Sequence, residues 1–126
     1  MRAALVLSRR AAHRSEPLTV ARVLGWQEVV LGRPAAFRTS DAFAKDGRER
    51  SPRSEGIPES LARWLDDALR PTDDVFEQAA RSYLDLCFLH PFDNGNARAA
   101  RLVLDYVLTR GSAPDEDGLP PRRSGG

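Results

Sequence analysis

A chain of 126 residues is long enough for one hydrophobic core and too short for two. Its 41% hydrophobic and 29% charged content suits an ordinary globular domain, and a net charge of +1 argues against a strongly electrostatic nucleic-acid or membrane partner. One cysteine, Cys87, excludes an internal disulfide, and no apolar run is long enough to span a bilayer or resemble a secretory leader. The expected setting is cytoplasmic.

Ala3 to His13 reads as a short helix with Leu5 and Val6 turned inward, interrupted at Pro17. Thr19 then offers an N-cap for a second helix that carries Val20, Val23, Leu24, Val30 and Leu31 and stops at Gly32. From Arg33 to Pro58 proline, glycine, serine and charge dominate, and the large apolar residues are Phe37, Phe43 and Ile57. Residues 36–39 and 42–44 are candidates for the two short arms of a hairpin.

Three clearer helices follow. Leu61, Trp64, Leu65, Ala68 and Leu69 repeat at helical period between Pro58 and Pro71. Val75, Phe76, Ala79, Ala80, Tyr83, Leu84, Cys87 and Phe88 form a second stripe behind a Thr72-Asp73-Asp74 capping cluster, and this helix delivers His90 at its end. The third runs from about Gly95 to Arg110, with Asn94 as its cap, Leu102, Val103, Tyr106 and Val107 as its buried stripe and Gly111 as its stop. Residues 112–126 read as a disordered tail behind one domain of residues 1–111. The fold class is therefore all-α, with a small hairpin or irregular insertion before the central helices.

The chemistry concentrates in residues 90–101, His-Pro-Phe-Asp-Asn-Gly-Asn-Ala-Arg-Ala-Ala-Arg. Imidazole titrates near neutrality, so His90 is a natural general base. The amides of Gly95, Asn96 and Ala97 fall at a helix start, where unpaired N–H groups and the helix dipole attract anions. Arg98 and Arg101 lie three residues apart on one helix face, placed to clamp neighbouring phosphates. Pro91 keeps the turn extended, and Phe92 is expected to plug the core. His13 reads as a surface residue, Cys87 as core packing, and Asp105 and Arg110 as ordinary helix-surface charge.

This run resembles the active-site motif of the Fic/Doc (Fido) family, His-Pro-Phe-x-(Asp/Glu)-Gly-Asn-Gly-Arg-x-x-Arg. His90, Pro91, Phe92, Gly95, Asn96, Arg98 and Arg101 match, while Asn94 replaces the acid and Ala97 the last glycine. The resemblance implies a Fic-type helical bundle and a protein adenylyltransferase. In such an enzyme His90 deprotonates a Ser, Thr or Tyr hydroxyl of a target protein, which then takes AMP from ATP. It implies Mg²⁺ or Mn²⁺ at the Asn94 position, where an uncharged oxygen should hold the metal less tightly. It also implies a flap over residues 36–49, in which Phe37, Arg38 and Thr39 register the target by strand addition. The alternatives are a Doc-like phosphotransferase toxin, with an antitoxin or other inhibitory partner, and a catalytically degenerate nucleotide-binding module. Ser51 to Gly56 fits the family's loose inhibitory pattern around Glu55, with coincidence as the default reading.

Overall fold

The computed structural model describes residues 1–39 and 56–112, which form five helices: α1 (Arg2–His13), α2 (Val20–Leu31), α3 (Ile57–Ala68), α4 (Val75–Leu89) and α5 (Asn96–Ser112). The all-α expectation holds. Among the described residues pairing of the β type is limited to one isolated antiparallel bridge between Phe37 and Phe92. The second hairpin arm at residues 42–44, the Glu55 pattern and the tail from residue 113 lie outside the described residues.

α5 is the centre of the bundle, packing most extensively on α4 and α1 and also on α2, while α3 closes over α4. Ala99, Ala100, Leu102, Val103, Tyr106 and Val107 are all at most 3% exposed. The two alanines let neighbouring helices approach closely, and the larger residues fill the space beyond them. Ser8, fully buried on α1, donates its hydroxyl to the Leu102 carbonyl at 2.8 Å. The Tyr106 hydroxyl donates to the Glu16 carbonyl, and the Tyr106 ring lies 6.0 Å from that of Trp26.

The caps of α2 and α4 follow from their sequence. Thr19 Oγ1 accepts from the Arg22 amide, and Gly32 ends α2 in the left-handed region at φ 68°. Asp74 Oδ1 accepts from the Glu77 amide at 2.9 Å. α3 starts behind Gly56 with Pro58 in its first turn.

Several expectations are corrected. Val6 is exposed, and α1 buries Ala4, Ser8, Ala11 and Ala12 instead, because the contact with α5 is close and selects small side chains. Leu69 is exposed at the end of α3. On α4, Phe76, Leu84 and Phe88 are exposed, while Ala79, Ser82, Leu86 and Leu89 face the core. Phe88 lies against the Trp64 ring at 6.4 Å, on the outer side of the α3–α4 contact. Gly111 does not stop α5, which continues to Ser112. A Cβ on Gly111 would sit 2.5 Å from Val75 Cγ1, so the glycine serves close packing against the start of α4.

Candidate active site

His90 caps α4. Its amide donates to the Leu86 carbonyl at 2.9 Å, and its backbone takes φ 51°, ψ 57°, a left-handed conformation outside the ordinary range for a residue with a side chain. Such a conformation persists only where its surroundings hold it. Here the segment before the insertion does so. Arg38 Nε donates to the His90 carbonyl at 2.7 Å, and Arg38 Nη2 donates to the Leu89 carbonyl at 3.0 Å. The Arg38 amide bonds the Pro91 carbonyl at 2.9 Å, and the Asp93 amide bonds the Ala36 carbonyl at 3.0 Å. The rings of Phe37 and Phe92 stack with centroids 5.7 Å apart. The His90 side chain is left facing outward. Local desolvation, and secondarily the positive charge of Arg38, hold its pKa below the ordinary 6.5. The shift favours the neutral imidazole, the form a general base requires.

These bonds place Arg38 differently from the sequence expectation. Its side chain is 7% exposed and directed to the end of α4, so it is a structural clamp on His90, not an outward target contact. Phe37 is half-buried against Phe92, and Thr39 is exposed.

The turn after His90 is fastened from two sides. Phe92 is fully buried, as expected. Asn96, 6% exposed, accepts from the Phe92 amide at 2.8 Å through Oδ1 and donates to the Phe92 carbonyl at 3.0 Å through Nδ2. Gln27 of α2 donates through Nε2 to the carbonyls of Asn94, at 2.8 Å, and Gly95, at 3.0 Å. Gly95 has φ 73°, and an added Cβ would fall 2.7 Å from Gln27 Nε2, so both backbone conformation and space demand glycine.

α5 makes its first backbone bond from the Ala99 amide to the Gly95 carbonyl. The amides of Asn96, Ala97 and Arg98 precede it and are the unpaired donors of the helix start. The expected set of Gly95, Asn96 and Ala97 thus shifts by one residue, because the Gly95 amide is taken by Asn94 Oδ1 at 2.8 Å. Asn94 consequently closes its own turn and does not cap the first turn of α5.

Asn94 is exposed, and one lone pair of its Oδ1 is engaged by the Gly95 amide. Asp93 is exposed and paired with Arg33 at 3.2 Å. Among the described residues no group of three His, Cys, Asp or Glu side chains is arranged to hold a metal ion. Asn94 Oδ1 and the Asp93 carboxylate are the turn's side-chain oxygens of the kind a divalent ion such as Mg²⁺ takes.

Arg98 and Arg101 are exposed on α5. Arg98 Nη2 lies within 3.3 Å of where a Gly95 Cβ would be, so this guanidinium lies over the turn. Arg101 Nε donates to Asp105 Oδ2 at 2.9 Å, while Arg9 of α1 reaches Asp105 Oδ1 at 3.2 Å. Asp105, 8% exposed, is thus a two-sided anchor and not an ordinary surface charge. A cleft of about 320 Å³ between α3 and α4, lined by Trp64, Asp67, Arg81 and Asp85 among others, includes none of the motif residues.

The sequence pattern missed Gln27, Arg38 as a clamp, and Asp105. Each acts across the fold, and only Asp105 left a local trace, four residues beyond Arg101.

Comparison with known proteins gives the family. Residues 17–108 match the model of the Fic/DOC family. The chain belongs to that family. It is 36% identical over 97 residues to the protein adenylyltransferase fic-1 of Caenorhabditis elegans, covering 74% of this chain and 18% of that one. It is 35% identical over 80 residues to a uridine 5'-monophosphate transferase of Xanthomonas campestris, covering 57% of this chain and 14% of that one. The solved structure of a Fic-domain-containing signaling protein from Bacteroides thetaiotaomicron aligns with a TM-score of 0.67 and 26% identity, over 89% of this chain and 47% of that one. The chain thus spans under a fifth of the length of these two curated relatives. Among the described residues no helix is long and apolar enough to cross a membrane.

Proposed function

We propose that this Fic/DOC chain is a nucleotidyltransferase that moves AMP from ATP to a hydroxyl side chain of a protein. The observation that carries the reading is the juxtaposition on one turn of the exposed His90 with the unpaired amides of Asn96, Ala97 and Arg98. His90 removes the proton from the target hydroxyl, whose oxygen bonds to the α-phosphorus. The bond to the bridging oxygen then breaks and pyrophosphate leaves. The amide cluster and the guanidinium of Arg98 stabilise negative charge on the phosphates. Arg101, held through Nε by Asp105, keeps its terminal nitrogens for the outer phosphates. Asn94 and Asp93 are the residues of the turn that would hold a Mg²⁺ or Mn²⁺ ion, which when bound would supply neutralisation of phosphate charge.

The target approaches along residues 36–39. One backbone edge of this segment is already used by the Pro91 carbonyl and the Asp93 amide, so strand addition uses the other edge, with Thr39 as the exposed contact. A second reading, UMP transfer, is favoured by the similarity to the Xanthomonas transferase.

The deciding experiment incubates the protein with host lysate and ATP labelled at either the α- or the γ-phosphate, with α-labelled UTP in parallel. Label from α-ATP alone supports AMP transfer. Label from UTP moves the assignment to UMP, and label from the γ-phosphate to a kinase-like, Doc-type reaction. Nucleotide binding with no transfer from any label contradicts the enzymatic reading and leaves a binding module.

A further inference from the structure

The turn that carries the donor amides is held by a residue 67 positions earlier in the chain. Gln27 is fully buried on α2, a helix fixed at both ends by Thr19 and Gly32. Its amide orientation is determined by its partners. Turned the other way, Oε1 would face two carbonyl oxygens, so Nε2 must be the atom that meets Asn94 and Gly95. The result is a buried Oε1 with no hydrogen-bond partner among the described residues. A group that leaves one half unsatisfied in order to bond two consecutive carbonyls is placed for those carbonyls.

The consequence for the site follows from peptide geometry. The C=O and N–H of a trans peptide point in opposite directions, and the described chain has no cis bonds. Tying the Gly95 carbonyl inward therefore turns the Asn96 N–H outward, toward the open end of α5. We propose that Gln27 is the positioning residue of the anion-binding turn, aiming the amides of Asn96, Ala97 and Arg98 at a phosphate group of the nucleotide. This inference rests on the functional reading above for the identity of the ligand, but not for the state of the turn.

Gln27→Met keeps the length and volume of the side chain and removes both donors. Gln27→Glu is closer in shape and sets a carboxylate against the two carbonyl oxygens. Two readouts are made on the full chain. The first is calorimetric binding of inorganic pyrophosphate. The second, independent of any ligand, is native-state hydrogen exchange at the two bonded amides of the turn, Phe92, held by Asn96 Oδ1, and Ala99, held by the Gly95 carbonyl. We expect Gln27→Met to weaken pyrophosphate binding about tenfold and to speed exchange at those amides about tenfold, with exchange in α3 unchanged and Gln27→Glu more severe. Should Gln27→Met fail to fold, hydrogen exchange of the Gln27 side-chain amide in the wild type is the second measurement: bonded to the Asn94 and Gly95 carbonyls, its Nε2 protons should be protected, and unprotected exchange would overturn the role. Unchanged exchange in the turn would overturn the role of Gln27. A wild type that ignores pyrophosphate while the variant's turn loosens would instead overturn the anion-site reading, with Gln27 still its clamp.

Discussion

Replacing Asn96 with alanine removes the two bonds that close the motif turn on itself, from the Phe92 amide at 2.8 Å and to the Phe92 carbonyl at 3.0 Å. Phe92 is fully buried and Asn96 is 6% exposed, so solvent has little access to the two backbone groups left behind. Each net hydrogen bond is worth about 1 kcal/mol, and a backbone group orphaned in a dry site costs roughly 1–3 kcal/mol. Overlap between those contributions brings the expected loss to about 3 kcal/mol. For a domain of this size that corresponds to a fall in Tm of roughly 10 °C. Asn94→Ala is the internal contrast. It removes one exposed bond to the neighbouring amide and should cost under about 0.5 kcal/mol. Urea unfolding followed by tryptophan fluorescence measures both variants, and equal slopes against denaturant confirm that the same transition is compared. A loss below about 1 kcal/mol for Asn96→Ala, or equal losses for the two variants, would refute the claim that Asn96 fastens the turn.

Other outcomes follow from the same structure. Gly111→Ala should destabilise the chain by roughly 1–3 kcal/mol, because its Cβ would meet Val75 at 2.5 Å. Adding Val75→Ala should recover part of that loss in a double-mutant cycle. NMR titration of the His90 imidazole should give a midpoint below 6.5, and Arg38→Met should move it upward by removing the nearby charge. The sign for stability follows: between the lowered folded value and 6.5 the unfolded chain binds more protons, so His90 contributes stability above this window that is lost as pH falls through it. Cys87, whose thiol pKa is raised by burial, should react with iodoacetamide at pH 8 more slowly than a free thiol. Asp105→Asn should loosen both Arg9 and Arg101, lowering stability by about 1 kcal/mol in a salt-dependent way, read by denaturation at low and high ionic strength.

What the sequence made legible was local. Thr19 before an apolar run and Gly32 after it mark α2 because capping uses neighbours in the chain. The stripe of Leu102, Val103, Tyr106 and Val107 marks α5 because it is the helix most surrounded by others. Periodicity failed where burial depends on the partner. A close α1–α5 contact selects Ala4 and Ser8 over Val6, and α4 carries more apolar residues than its neighbours cover. Gly111 shows the same limit, since a helix stop and a helix-packing glycine look alike until Val75 is placed beside it. At the site, the motif pointed to His90, Arg98 and Arg101, whereas the residues that hold this segment in place, Gln27, Arg38 and Arg9, come from distant parts of the chain. No local pattern encodes such contacts.

The central claim is that His90, fixed in its left-handed turn, is the base for nucleotidyl transfer at a neighbouring anion site. Its most direct measurement compares wild type with His90→Ala for transfer of label from α-labelled ATP to lysate proteins, alongside ATP binding by calorimetry. The account predicts a labelled band that disappears in the variant while nucleotide affinity stays within about threefold, since the amides of α5 and the two arginines remain in place. Equal labelling by both proteins would contradict it.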